Sequence, residues 1–127
     1  MANIFVICIA MIPTINISPQ KMLSEFNRIL INRGFTEDKA LQCAEIFTNN
    51  SVDGVYSHGV NRFANFVKMV DDGFVKPNNT PSLKNKHAGI EQWDGNLGAG
   101  PLNATHATDT AINLSQQYVS RKGIKKM

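Results

Sequence analysis

SPQKMLSEFNRILINRGFTEDKALQCAEIFTNNSVDG, running from Ser18 to Gly54, carries two complete sets of helix punctuation in succession. Ser18 reads as an N-cap, with Pro19 at the first helical position where a missing N–H costs nothing. Met22, Leu23, Phe26, Ile29 and Leu30 then recur at helical spacing, and Gly34 supplies the stop. A second helix begins at Thr36, with Glu37 and Asp38 in its first turn, where the helix dipole favours negative charge. Its predicted buried side is Ala40, Leu41, Ala44 and Phe47, and Asp53-Gly54 ends it.

Working outward, a third helix is predicted from Ser57 or Val60 to Asp72, with Phe63, Phe66, Val67 and Val70 on one side and Gly73 closing it. VKPNNTPS then breaks the periodicity and reads as a linker or long loop. SLKNKHAGIEQWDG has two short extended runs around Ala88-Gly89, a hairpin pattern with a strand ending at Trp93. Pro101 opens a last helix whose apolar positions Ala104, Ala107, Ala111, Leu114 and Tyr118 repeat every three or four residues, with Gly123 as its stop.

The expected fold class is therefore α+β. A helical subdomain over residues 17–76 precedes the start of a sheet-containing domain over residues 77–127. Two strands cannot stand alone, so the sheet is expected to be incomplete and the chain to stop just as it begins. Residues 1–16 read as a non-essential apolar extension, with an edge strand or a disordered apolar tail as the alternatives: the run from Ile4 to Ile12 is far short of the roughly 20 residues a membrane span takes. It also lacks the basic start of a signal peptide.

Composition excludes more than it assigns. The 127 residues are 43% hydrophobic and 18% charged, within the range of soluble globular proteins, and suffice for one modest core. Net charge is +3, and the basic residues are scattered apart from the tail Arg121, Lys122, Lys125 and Lys126, so nucleic-acid binding is not supported. Cys8 and Cys43 form neither a disulfide framework nor a CxxC pair, which fits a reducing, cytoplasmic setting. No histidine has a second ligand at metal-binding spacing, and no serine sits in a nucleophile elbow.

One pair of residues invites chemistry. In GVYSHGVNRF, His58 and Arg62 stand four apart, which on a helix places both on one face. An arginine holds a carboxylate through two parallel hydrogen bonds and a histidine exchanges a proton near neutrality, a combination suited to a 2-oxo or 2-hydroxy acid. The same spacing equally describes a solvated helix face. GNLGAGPLNA places Gly95, Gly98 and Gly100 before a helix N-terminus, but Asn103 stands where a GxGxxG would have its third glycine. It reads as a turn for close strand–helix packing, with anion contact as the alternative. His87 and His106 read as exposed and Cys43 as a small core residue.

RILINRGFTEDKALQCAEIFTNNSVDGVYSHGVNRFANFV, followed by GIEQWDG and a Gly-rich turn into an alanine-rich helix, resembles the N-terminal part of the type 2 malate/L-lactate dehydrogenase family. These are NAD(P)-dependent 2-oxoacid reductases without a Rossmann domain. The likeness covers approximately Ile17 to Ile124, about the first third of a family member, and SHG followed by arginine is its specific motif.

The resemblance implies that His58 is the catalytic acid/base, that Arg62 and Ser57 belong to the substrate pocket, and that NAD(H) is the cofactor of the full-length family. It further implies a small 2-oxoacid substrate and a cytoplasmic homodimer; the short apolar run and scattered basic residues already argue against a membrane or nucleic-acid partner. Two departures accompany it. Phe66 stands where some relatives carry tyrosine, and the family's nicotinamide-binding loops and second active-site histidine lie past Met127. The chain is accordingly expected to be an N-terminal fragment, inactive alone; the rival reading is a small non-enzymatic helical interaction module or a truncated pseudogene product.

Overall fold

The computed structural model describes residues 15–121. Its elements run α1 (Pro19–Ile31), α2 (Glu37–Val52), α3 (Val60–Asp71), β1 (Ser82–His87), β2 (Ile90–Asp94) and α4 (Gly100–Arg121). Four helices and a two-stranded antiparallel sheet make an α+β arrangement with a small sheet. Most of the expected extension over residues 1–16, Cys8 and the Gly123 stop lie outside the described residues.

The punctuation of the first two helices works as read. Ser18 Oγ accepts a hydrogen bond from the Lys21 N–H at 3.3 Å, and Pro19 occupies the first helical position. Gly34, Gly54 and Gly73 follow α1, α2 and α3 at φ +86°, +79° and +79°, the left-handed region in which an L side chain is strained.

A cluster of phenylalanines joins the three helices. Phe26 of α1 stacks on Phe63 of α3 at a ring separation of 3.8 Å. Phe47 of α2 sits edge-on to Phe63 at 5.3 Å and tilted against Phe66 at 5.2 Å. Leu30, Ala40, Cys43 and Ala44 fill the space between α1 and α2 with no exposed surface. Burial pushes the Cys43 thiol up to about 12, so it remains neutral and behaves as a small apolar core residue. Leu41, predicted to be buried, is instead 42% exposed. The α1–α2 contact is made by Ala40, Cys43, Ala44 and Phe47, which turns position 41 outward.

Residues 76–80 are not a free linker. Asn78 donates from Nδ2 to the Gly34 carbonyl at 2.7 Å and accepts from the Thr36 N–H at 3.1 Å, bridging the α1–α2 connection. Lys39 Nζ donates to the Asn78 carbonyl at 2.7 Å. Asn79 Nδ2 donates to the Asn96 carbonyl at 2.8 Å, and Asn96 Nδ2 returns a bond to the Thr80 carbonyl at 2.7 Å. Asparagines that read as breaks in periodicity are amide bridges, fastening the strand region to the helices.

In the hairpin, Leu83 pairs with Trp93 and His87 with Ile90, with an irregularity between Leu83 and Asn85. The turn is Ala88-Gly89 as expected, and Gly89 lacks a side chain where a Cβ would press on the Tyr118 ring of α4 at 3.3 Å. His106, predicted to be exposed, is half-buried with its ring edge-on to Trp93 at 4.6 Å. The stripe residues Ala107, Ala111, Leu114 and Tyr118 face the hairpin, and His106 beside them meets Trp93, a placement no single-helix pattern shows. Ala99, at the entry to α4, is buried in the phenylalanine core. Among the described residues no helix is long and apolar enough to cross a membrane.

Candidate active site

α2 ends at Val52, and the chain passes through Gly54 into a tight turn over Tyr56–Gly59 before α3 begins at Val60. His58 therefore precedes the helix that carries Arg62, and the two do not share a helix face by four-residue spacing. The physical reason is Gly59. A Cβ there would fall on the Ser51 hydroxyl and lie 2.8 Å from the Ser51 backbone nitrogen, so the chain is drawn tightly against α2 before it can turn helical.

Ser51 fastens this approach. Its buried hydroxyl donates to the Phe47 carbonyl at 2.8 Å and accepts from the Val60 N–H at 2.8 Å, acting as an N-cap for α3 supplied by another helix. Asn50 adds a second tie, donating from Nδ2 to the His58 carbonyl at 3.2 Å. Neither residue was singled out from sequence, where NNS reads only as the polar end of a helix. Ser51→Ala is expected to lower the unfolding free energy by about 1–2 kcal/mol, the usual cost of a lost cap. A urea midpoint unchanged from the parent chain would remove the capping role.

The turn nevertheless brings the pair together. His58 and Arg62 both line a cleft of ≈ 390 Å³ whose other walls are Phe47 and Asn50 of α2, Phe66 of α3 and Pro101 at the start of α4. Both side chains are exposed, and the Arg62 guanidinium makes no ion pair or hydrogen bond among the described residues. Ser57 Oγ lies 3.1 Å from His58 Nδ1. A hydroxyl can donate to that nitrogen or accept from it, so either protonation state of the ring keeps its orienting bond while Nε2 is left for another partner. All three residues singled out from sequence thus stand at one place, with Ser57 touching the histidine.

The Gly-rich turn before α4 is closed by the protein itself. A Cβ at Gly95 would meet Asn103 Nδ2 at 2.7 Å, and one at Gly98 would meet the Asn79 carbonyl at 2.7 Å. Asn103 Nδ2 donates to the Gly95 carbonyl at 3.1 Å. These glycines permit close packing, as their sequence reading preferred. No group of three His, Cys, Asp or Glu side chains is placed to hold a metal among the described residues.

Comparisons with known proteins agree on where this arrangement belongs. The chain is 38% identical over 102 residues to 2,3-diketo-L-gulonate reductase of Haemophilus influenzae, a match covering 80% of this chain and 31% of the relative. It is 39% identical over 101 residues to the enzyme of the same name from Mannheimia succiniciproducens, covering 80% and 30%.

Among solved structures, malate dehydrogenase from Entamoeba histolytica superposes with a TM-score of 0.77 at 24% identity, over 84% of this chain and 30% of that one. Delta1-piperideine-2-carboxylate reductase from Pseudomonas syringae gives 0.69 at 21% identity, over 83% and 32%. The structural likenesses establish the fold, and the chain spans about 30% of the length of the curated relatives it matches. The model of the family described as malate/L-lactate dehydrogenase matches residues 17–120, and with a match of that extent the chain belongs to the malate/L-lactate dehydrogenase family.

Proposed function

We propose that this chain supplies the proton donor and carboxylate anchor of an NADH-dependent 2-oxoacid reductase that reduces 2,3-diketo-L-gulonate. The observation that carries the reading is the shared cleft: His58 and a free Arg62 face one apolar-walled space, with Ser57 holding the far nitrogen of the histidine. Arg62 binds the substrate carboxylate through its guanidinium fork and so fixes the position of the neighbouring carbonyl. Protonated His58 gives its Nε2 proton to the carbonyl oxygen as negative charge develops there. Ser57 accepts from Nδ1–H while the ring is charged and can donate back once it is neutral.

The glycine turn before α4 does not fit the phosphates of a dinucleotide. The glycine turn that could cradle a phosphate is occupied by Asn103 and the Asn79 carbonyl. The hydride step is accordingly not built from this chain. The division into a helical subdomain over 17–76 and the beginning of a sheet domain over 77–127 belongs to the same proposal. So do a cytoplasmic location and a homodimeric whole protein.

Two measurements test the function. The purified 127-residue chain is expected to show no diketogulonate-dependent oxidation of NADH, since it offers an acid and an anchor without a site to hold the hydride donor against the substrate. Turnover by the isolated chain would overturn that division of labour. A chimera in which residues 17–120 replace the matching segment of the Haemophilus influenzae reductase is expected to reduce the same substrate. A folded but inactive chimera would argue against the substrate assignment.

A further inference from the structure

Polar side chains are few in the cleft, and one has no part in the chemistry above. Beside His58 and Arg62, Asn50 is the remaining polar side chain on a wall otherwise built from Ile46, Phe47, Phe66 and Met69. Its amide orientation follows from its neighbour. A backbone carbonyl only accepts, so the bond to the His58 oxygen at 3.2 Å requires Nδ2 to face the turn, and Oδ1 is directed away from it. Oδ1 has no donor among the described residues, although Asn50 is half-buried.

We propose that Asn50 Oδ1 is a specificity contact that accepts a hydrogen bond from a hydroxyl on the carbon chain of the substrate. The inference rests on the reading of His58 and Arg62 as the carbonyl and carboxylate contacts. Those two groups recognise what every 2-oxo acid has in common. An acceptor on the same wall recognises what distinguishes a polyhydroxy acid from pyruvate. An acid without the hydroxyl forgoes that bond, a difference that favours the hydroxylated acid.

Titration of the ¹⁵N-labelled chain with β-hydroxypyruvate and with pyruvate, followed by amide chemical shifts, isolates the contact, because the two acids differ by one hydroxyl. The parent chain is expected to bind β-hydroxypyruvate roughly three- to tenfold more tightly, the usual range for one neutral hydrogen bond. In Asn50→Leu the ratio is expected to fall to about one; the lost tie to the His58 turn weakens both acids alike, so the ratio is the readout. Asn50→Ala, which adds no bulk, is expected to do the same. Arg62→Ala is expected to lose both acids.

If both Asn50 variants keep the preference while Arg62→Ala abolishes binding, the specificity contact is wrong and the anchor stands. If the parent chain binds neither acid, or Arg62→Ala binds both unchanged, the anchor reading fails and this one fails with it.

Discussion

Replacing His58 by alanine in the chimeric reductase is expected to lower kcat by about 10²–10⁴, the range a positioned proton donor contributes. Among the described residues lining the cleft, His58 is the one side chain suited to give up a proton near neutrality, since Asn50 offers an amide and the remaining walls are apolar apart from the Arg62 anchor. Arg62→Lys is expected to act differently. A lysine keeps the charge but loses the planar fork, so the carboxylate is held at one point instead of two. KM is expected to rise by roughly ten- to hundredfold with a much smaller change in kcat. The steady-state split between the variants is the diagnostic. A kcat near that of the parent chimera in His58→Ala would remove the catalytic assignment.

The second large effect is on stability. Phe47→Ala is expected to cost about 3–5 kcal/mol. Its ring is 3% exposed and contacts both Phe63 and Phe66, so truncation opens a cavity where α2 meets α3. Against a total stability of about 5–15 kcal/mol for a domain, that loss takes up much of the margin. Urea denaturation followed by circular dichroism measures it; a shift below about 1 kcal/mol would mean that the aromatic cluster does not organise the fold.

The helices were legible from sequence because each start and stop rests on a local residue requirement. Ser18-Pro19, Thr36 with its acidic first turn, and Gly34, Gly54 and Gly73 all act within a few residues of themselves. Failures came where a contact between distant residues decided the outcome. The start of the third helix stays open between Ser57 and Val60 in the sequence, because periodicity does not reveal that Gly59 must pass against Ser51, which fixes Val60. Leu41 satisfied the apolar pattern but lies outside the sector where α1 packs. His106 lies under the hairpin, which depends on where Trp93 falls.

The same division applies to the site. SHG followed by arginine was visible as a motif, and Ser57, His58 and Arg62 do meet. Asn50 and Ser51 were invisible, because NNS reads as the polar end of a helix until the turn closes back onto it. A polar residue at the last turn of a helix immediately before a glycine-bounded motif is the signal that could have found them.

One consequence concerns how such a site changes its preferences. The imidazole is carried by a turn clipped to α2, whereas the guanidinium is carried by α3. The gap between them is consequently a ruler whose length is set by how α2 and α3 seat on each other, through the Phe47–Phe63 contact. A core substitution that slides one helix by a fraction of a turn recalibrates the ruler and so alters which acids span it, leaving both polar groups intact. Substrate preference in this scaffold can therefore drift through its interior, at positions no ligand ever touches.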